Sequence, residues 1–366
     1  MSAVVNPAIK PAPTGFTHQS HAQRIISHPG ARLEVADELR ALGCGRAIFV
    51  TGPRGNGHPA AAEIRTALWP MLADEFLEVD PRLPSALIAS LASRAEAASV
   101  DAFVAFGGGA CLDIAKAASK AVGQLRGGDA PVVVAIPSTL IGSEATSVPG
   151  CGARIVLYDA EVLARVGLSS VLASGMAAIS HAVEALYARN DLLVETSACE
   201  ALHELAGGLP VYRDDPHDVA AAQRLFNGAY MAGFSMARSN MSLAHGISRT
   251  LSSRTTVAYS VAHGIVLPHS MRYNTPYAVD RTALAGRAIG AAYRSEPNDD
   301  SATKAASAIE RLVRALGLPG RLRDVGIEDS MLLPLAEAAL GNPCMAANPR
   351  RIESAGQILS VLRSAY

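Results

Sequence analysis

Between residue 46 and about residue 140 the chain alternates short apolar runs with longer amphipathic ones. "RAIFVTG" is a compact β-rich run, and "HPAAAEIRTALWPML" after it repeats its apolar positions at helical spacing. "EFLEV" and "DAFVAFGGG" are the next strand-like runs, followed in turn by the helical "LPSALIASLASRAEAAS" and "ACLDIAKAASKAV". "PVVVAIPST" closes the series. Strand, helix, strand at this spacing predicts parallel βαβ units with helices on both faces of a Rossmann-like sheet.

Near Ser169 the alternation stops and only helical periods remain. They run through "LASGMAAISHAVEALYA", "VETSACEALHELAGGL", "VAAAQRLFNGAYMAGFSMA", "MSLAHGISRTLSS", "YSVAHGIVLPHSMRYN" and "ATKAASAIERLVRALG" to a last helix ending in Tyr366. A chain of 366 residues is long for one core, so two domains are expected. The boundary falls in the link over residues 158–170. This divides the chain into an arm over 1–20, a dinucleotide-binding α/β domain over 21–165 and an all-helical substrate domain over 166–366.

Composition narrows the class. A net charge of -1, with both signs mixed along the chain, gives no electrostatic reason to expect nucleic acid or an anionic membrane as partner. The five cysteines are scattered and none forms a CxxC pair, which argues against a disulfide framework or a cysteine zinc site and fits a reducing cytoplasm. The proline-bearing "MSAVVNPAIKPAPTGF" lacks the basic start and apolar run of a signal peptide, and no stretch is long and apolar enough to span a bilayer.

The chemistry-bearing residues cluster in a few places. Gly107, Gly108 and Gly109 stand where a strand hands over to a helix. There the backbone can approach a pyrophosphate and the helix N-terminus supplies free N–H groups. Asp113 follows in the first turn. A triple glycine is also what a plain strand-to-helix turn uses, and the two readings are balanced for this run alone. The next loop, "IPSTLIGSEATS", tips the balance, because Ser138, Thr139, Ser143 and Glu144 lie at the C-terminal end of the next strand, where open α/β sheets bind ligands.

Together these segments resemble the iron-type alcohol dehydrogenase superfamily and, within it, the maleylacetate reductases. The stretches that carry the likeness are "GGGACLDIAKA", "IPSTLIGSEAT", "SGMAAISHAVEALYA", "LAHGISRTL", "VAHGIVLPHSMRYN" and the C-terminal "NPRRI", in family order over roughly residues 20–366. The resemblance implies an α/β nucleotide-binding domain, an all-helical second domain, a nicotinamide cofactor, a small-molecule substrate and a homodimer. In metal-dependent members an Asp and three His hold the ion. Those positions fall here on Ala177, His181, His245 and Tyr259, and two imidazoles with no carboxylate make a poor divalent site, so no metal is expected. Maleylacetate reductases resemble this chain in having lost the acid and in carrying a histidine at His263. Where the family keeps a histidine near the nicotinamide, this chain has Arg249. The segment after Pro149 is shortened to "GCGARIVLYD", leaving Arg154 as its nearest basic candidate.

Ala177 and His181, His245 and Arg249, and Tyr259 and His263 are each four apart, so each pair shares a helix face. If the three faces meet, they form a pocket of imidazoles, a guanidinium and a phenol. His181, His245 and His263 can then relay protons, Arg249 can grip a carboxylate or stabilise an enolate, and Tyr259 can bond the substrate or act as an acid. A lone histidine on an apolar helix is more often a satisfied core residue, which is the reading for His203, His217 and His269. Glu184 is expected to serve structure as a helix or inter-helix hydrogen-bond partner. After the first strand, "FVTGPRGNG" lacks the acid that NAD-preferring relatives place against the ribose. Thr51, Gly52 and Arg54 therefore favour NADP slightly over NAD.

The resulting expectation is a metal-independent NAD(P)H-dependent reductase acting on an activated C=C or C=O. Arg249 holds an oxyanion, and a histidine, His245 or His263 first, supplies the proton. A lyase, cyclase or isomerase on the same scaffold is the rival, motivated by Ala177, Arg249 and the shortened segment. A non-catalytic binding protein that kept the fold is the third reading.

Overall fold

Short apolar runs become the strands of one parallel sheet in the computed structural model, which describes residues 22–80, 84–148, 151–188 and 192–366. The arm expected over residues 1–20 lies outside the described residues. The strands are β1 (Arg24–Ser27), β2 (Ala47–Val50), β3 (Leu72–Phe76), β4 (Ala102–Gly107) and β5 (Val132–Pro137). A two-residue antiparallel pair follows, β6 (Ser147–Val148) and β7 (Cys151–Gly152), before β8 (Ile155–Tyr158). Among the described residues the sheet has six strands in the order β1-β8-β5-β4-β2-β3, every pair parallel.

The helices of this part are α1 (Val35–Ala41), α2 (Pro53–Asn56), α3 (Pro59–Leu68), α4 (Pro84–Ala97), α5 (Gly109–Leu125) and α6 (Ala160–Leu163). Every residue of β2, β4 and β8 is buried, as strands covered on both faces must be. Phe49 stacks on Phe106 in the same core as Leu39, Ile64 and Leu68.

The sequence pattern needs three corrections here. The strand expected at "EFLEV" is Leu72–Phe76, a few residues earlier. This is an edge strand, and its acids are matched rather than excluded: Arg94 binds Asp74 and Arg65 binds Glu75. Charges on an edge also discourage pairing with another sheet. Strands β1 and β8 lie outside the expected series, and β8 sits between β1 and β5 in the middle of one half of the sheet. Arg154 immediately precedes β8, so it stands at the N-terminal edge of the sheet, where it bonds the carbonyl of Ala22. Ligand-binding loops of such sheets are at the other edge, which removes Arg154 as the expected basic contact.

The remaining helices are α7 (Leu168–Ala188), α8 (Leu192–Asp214), α9 (Val219–Ala237), α10 (Leu243–Arg254), α11 (Tyr259–Asn274), α12 (Val279–Ala288), α13 (Asn298–Ala315), α14 (Asp329–Leu340) and α15 (Ala355–Ser364). The last helix stops at Ser364, two residues before the terminal Tyr366. Helix α7 is apolar nearly all round, and residues 171–186 are buried, as an interior helix requires. Helices α10 and α11 pack together, with α13 against α11 and α14 against α10.

The described chain divides into two compact units. Leu172–Pro210 and Phe234–Tyr366 make a helical one, while Val211–Gly233 joins the α/β unit that extends up to Val171. The division therefore needs three cuts in the chain, through α7, α8 and α9. No helix among the described residues is long and apolar enough to cross a membrane.

One close approach inside the α/β unit fixes the loop after β5. Gly142 has φ of 87° and packs backbone to backbone on Gly233 of α9. A Cβ on Gly233 would lie 2.4 Å from the Gly142 carbonyl oxygen. Gly233→Ala is expected to lower the stability of the protein by about 1–3 kcal/mol through this overpacking. Urea denaturation checks it, and an unchanged midpoint would contradict the contact.

Candidate active site

Strand β2 has β3 on one side and β4 on the other, so chain progression reverses there. The C-terminal ends of β2 and β4 flank the switch point at which such sheets bind dinucleotides. Helix α5 starts at Gly109, with Gly108 before it and no side chain capping the first N–H groups. Those groups and the positive helix end suit a phosphate. Gly107 has φ of 138°, and an added Cβ would sit 2.9 Å from Cys111 Sγ. A Cβ on Gly108 would lie 3.3 Å from Thr139 and one on Gly109 2.6 Å from Ser143 Oγ. The backbone N–H of Ser138 donates to the Gly107 carbonyl at 2.9 Å.

Gly52, Gly107, Gly108, Gly109, Ser138, Thr139 and Ser143 thus gather at one edge of the sheet. Two other expected contacts have work of their own. Thr51 is fully buried and its hydroxyl donates to the Phe106 carbonyl at 2.8 Å, tying β2 to β4. Asp113 is exposed and pairs with Lys116, whose buried ammonium also donates to the Ser143 carbonyl and to Thr146. Arg54, on the short helix α2, is exposed.

The second constellation lies wholly within the helical unit. Helices α7, α10 and α11 bring His181, His245, His263 and Tyr259 together. The ring centres of His181 and His245 are 5.5 Å apart, those of His181 and His263 5.0 Å, and those of His245 and His263 5.6 Å. The ring of Tyr259 is 4.5 Å from that of His263. Its hydroxyl lies 2.9 Å from His181 Nε2 and 3.2 Å from His245 Nδ1. His263 Nδ1 bonds the hydroxyl of Ser180 at 2.8 Å. Ala177, one turn before His181, is fully buried and offers no donor.

Burial sets the charge of this cluster. Burial first, and then the neighbouring His181 and Arg249, push His245 down to about 3. Burial and the two other rings hold His263 well below the ordinary histidine range. Both are neutral imidazoles at physiological pH. Arg249, one turn beyond His245 on α10, is exposed and brings the cation.

Glu184 explains how α10 is held. Ser242 precedes the helix as its cap residue, yet its hydroxyl is spent on Glu184 Oε1 at 2.7 Å. The carboxylate of Glu184, from α7, accepts the N–H groups of Ala244 at 2.8 Å and of His245 at 3.1 Å instead. These are the second and third helical residues, whose free N–H groups a cap side chain ordinarily satisfies. Burial pushes this carboxyl up to about 7 against the hydrogen bonds that favour its anion, and in the ionised form its charge suits the helix dipole. One side chain thus fixes the His245 backbone relative to His181 three residues before it on α7. The structural role expected of Glu184 takes this specific form. Ser180 and Ser242 carried no chemical signal beyond standing next to His181 and just before a helix.

The profile of the iron-containing alcohol dehydrogenases matches residues 22–154, and that of the C-terminal part of the Fe-containing alcohol dehydrogenase family matches residues 171–366. A maleylacetate reductase from Sphingobium indicum is 30% identical, covering 94% of this chain and 96% of its own. One from Rhizobium sp. (strain MTP-10005) is 28% identical, with 96% and 97% covered. Among solved structures, a putative alcohol dehydrogenase from Ralstonia eutropha JMP134 superposes with a TM-score of 0.86 at 30% identity, covering 97% of this chain and 98% of that one. A maleylacetate reductase from Agrobacterium tumefaciens gives 0.83 at 27% identity, with 97% and 99% covered.

A family named for iron raises the question of whether these side chains suit such an ion. His181, His245 and His263 each offer a ligand atom within 4.8 Å of the others, close enough to gather one cation. Neutral imidazoles are also the form that binds metals. Against this, no carboxylate joins the cluster among the described residues, and the nearby Glu184 is committed to α10. The phenol of Tyr259 already bonds two of the three rings. A divalent ion would have to displace it and keep its charge uncompensated among buried neutral groups. Three imidazoles are a donor set that zinc accepts, but among the described residues this one lacks a carboxylate to offset the charge of the ion.

Glu184→Gln would turn an N–H₂ group toward backbone N–H donors that have no other acceptor. It is expected to cost about 1–3 kcal/mol of stability for the unsatisfied groups. Urea unfolding of the variant measures this, and a loss below about 0.5 kcal/mol, the scale of an ordinary surface substitution, would refute the capping role.

Proposed function

The chain belongs to the iron-containing alcohol dehydrogenase family, and on that premise we propose that it is a metal-independent, NAD(P)H-dependent reductase. Its substrate would be a small carboxylate-bearing molecule with an activated C=C or C=O, the class named by its maleylacetate reductase relatives. The observation that carries the reading is the neutral imidazole and phenol cluster with the Arg249 guanidinium one helical turn from His245. Fixed donors beside a cation stabilise developing negative charge, the task a Lewis acid performs elsewhere.

The roles divide by chemistry. The glycine turn and the loop carrying Ser138, Thr139 and Ser143 hold the nucleotide phosphates. Gly52 follows β2 beside the glycine turn, with the Val79 backbone packed against it, and Arg54 is the group that favours NADP by meeting a 2′-phosphate, since Thr51 has its hydroxyl committed. Arg249 grips the substrate carboxylate in two-pronged fashion. The cluster of His181, His245, His263 and Tyr259 supplies the proton that complements the hydride. We further take the enzyme to be a cytoplasmic homodimer, in keeping with cysteines too scattered along the chain for a disulfide framework and with the family resemblance.

Purified protein is expected to oxidise NADPH, and NADH more slowly, with unsaturated oxo-dicarboxylates. The rate should be unchanged after exhaustive chelation. Arg249→Ala should raise KM by about 10- to 100-fold, as for a lost charge-assisted pair of about 1.5–3 kcal/mol. Absorbance at the reduced-nicotinamide band follows all three. Substrate consumed with no change in that band would instead favour the lyase or isomerase reading. Activity abolished by chelator and restored by iron or zinc would contradict metal independence.

A further inference from the structure

The four members of the cluster differ in what they can touch. His181 and His263 have no accessible surface, and His245 is 8% exposed. Tyr259, the first residue of α11, is half-buried, and Arg249 is exposed. A group that hands a proton to substrate must reach it, so the two wholly buried imidazoles act only through their neighbours. His263, expected from the sequence as one of two leading donors, is thereby set back behind the phenol.

The bonding of the phenol adds a second constraint. Its oxygen contacts His181 Nε2 and His245 Nδ1 at hydrogen-bond distance. A hydroxyl carries one proton. At most one contact is O–H donated to a bare ring nitrogen, so at least one ring donates its N–H to the phenol oxygen. Tyr259 bridges two imidazoles, and when its proton points to one of them that ring presents a bare nitrogen while the other presents an N–H. This arrangement is a short proton chain with the phenol at its accessible point.

We propose that Tyr259 is the catalytic acid of this enzyme, recharged by His245, with His181 accepting its hydroxyl between turnovers. The inference rests on the reductase reading above. Hydride addition breaks a C–H bond of the dihydronicotinamide, oxidises it, and leaves the substrate as an enolate or alkoxide. That anion takes the proton as the Tyr259 O–H bond breaks. The Nδ1–H of His245 passes to the phenol oxygen, and His245 takes a proton from water at Nε2. Its slight exposure allows that last transfer. Moved in concert, these protons leave the His245 ring uncharged throughout, which suits its burial. Exchange with solvent resets its tautomer.

Tyr259→Phe removes the hydroxyl alone. The expected result is a fall in kcat of about 10²- to 10⁴-fold, the range for loss of a general acid. Binding of reduced nicotinamide, followed by its fluorescence, should stay within twofold and the melting temperature should be little changed. Retention of kcat within threefold overturns the proposal. Should the phenylalanine variant fail to fold, 3,5-difluorotyrosine placed at position 259 keeps the shape and makes the phenol more acidic. The alkaline limb of kcat should then move to lower pH, and an unmoved limb overturns the proposal. A wild-type enzyme that oxidises neither NADPH nor NADH with any candidate substrate defeats the reductase reading and this inference together. An active wild type with an equally active Tyr259→Phe defeats the inference alone.

Discussion

Three imidazoles sharing one buried pocket cannot all be charged at once. Two unit charges 5 Å apart repel by roughly 3 kcal/mol even at an effective dielectric constant of 20, before any desolvation is counted. The rings of His181, His245 and His263 are 5.0–5.6 Å apart, and burial with mutual repulsion keeps His245 and His263 neutral. Much of the site chemistry follows from that constraint. Neutral rings have one N–H and one bare nitrogen each, so they can pass protons but cannot supply a fixed positive charge. The cation of the proposed site is Arg249, exposed one turn beyond His245.

Such rings also need their orientation imposed, because a neutral imidazole has no strong field to align it. The fold supplies this with short polar contacts inside apolar helices. Ser180 holds His263, the Tyr259 phenol joins His181 to His245, and Glu184 caps α10 from a neighbouring helix. In the α/β unit the same economy appears at Thr51 and Lys116, whose polar atoms tie loops together. Residues that looked available to a ligand along the chain are partly consumed by the scaffold that shapes the ligand's site.

The sheet was legible where both faces of a strand are covered, since β4 and β5 then read as unbroken apolar runs before glycine or a polar loop. Strands β1 and β8 were not: β1 is an exposed edge strand, and β8, though buried on both faces, lies inside the shortened segment after Pro149. The return of Val211–Gly233 to the α/β unit was also hidden, as helical spacing says which face is apolar but not which core receives it. In the candidate site, the motif resemblance singled out His181, His245, Tyr259 and His263, and the structure brings them together. Their order of access did not follow from spacing. That His263 is enclosed while Tyr259 reaches the surface depends on how three helices cross. The cap that Glu184 places on α10 joins residues about 60 positions apart and leaves no local trace.

The most direct test of the neutral, phenol-bridged cluster is ¹⁵N NMR of the histidine side chains between pH 8 and pH 5. The rings of His245 and His263 should each show one protonated and one bare nitrogen across the whole range. The His245 signals should shift when Tyr259 loses its hydroxyl. Rings that become imidazolium together near pH 6.5, or that answer to added zinc with stoichiometric shifts at micromolar concentration, would contradict the account.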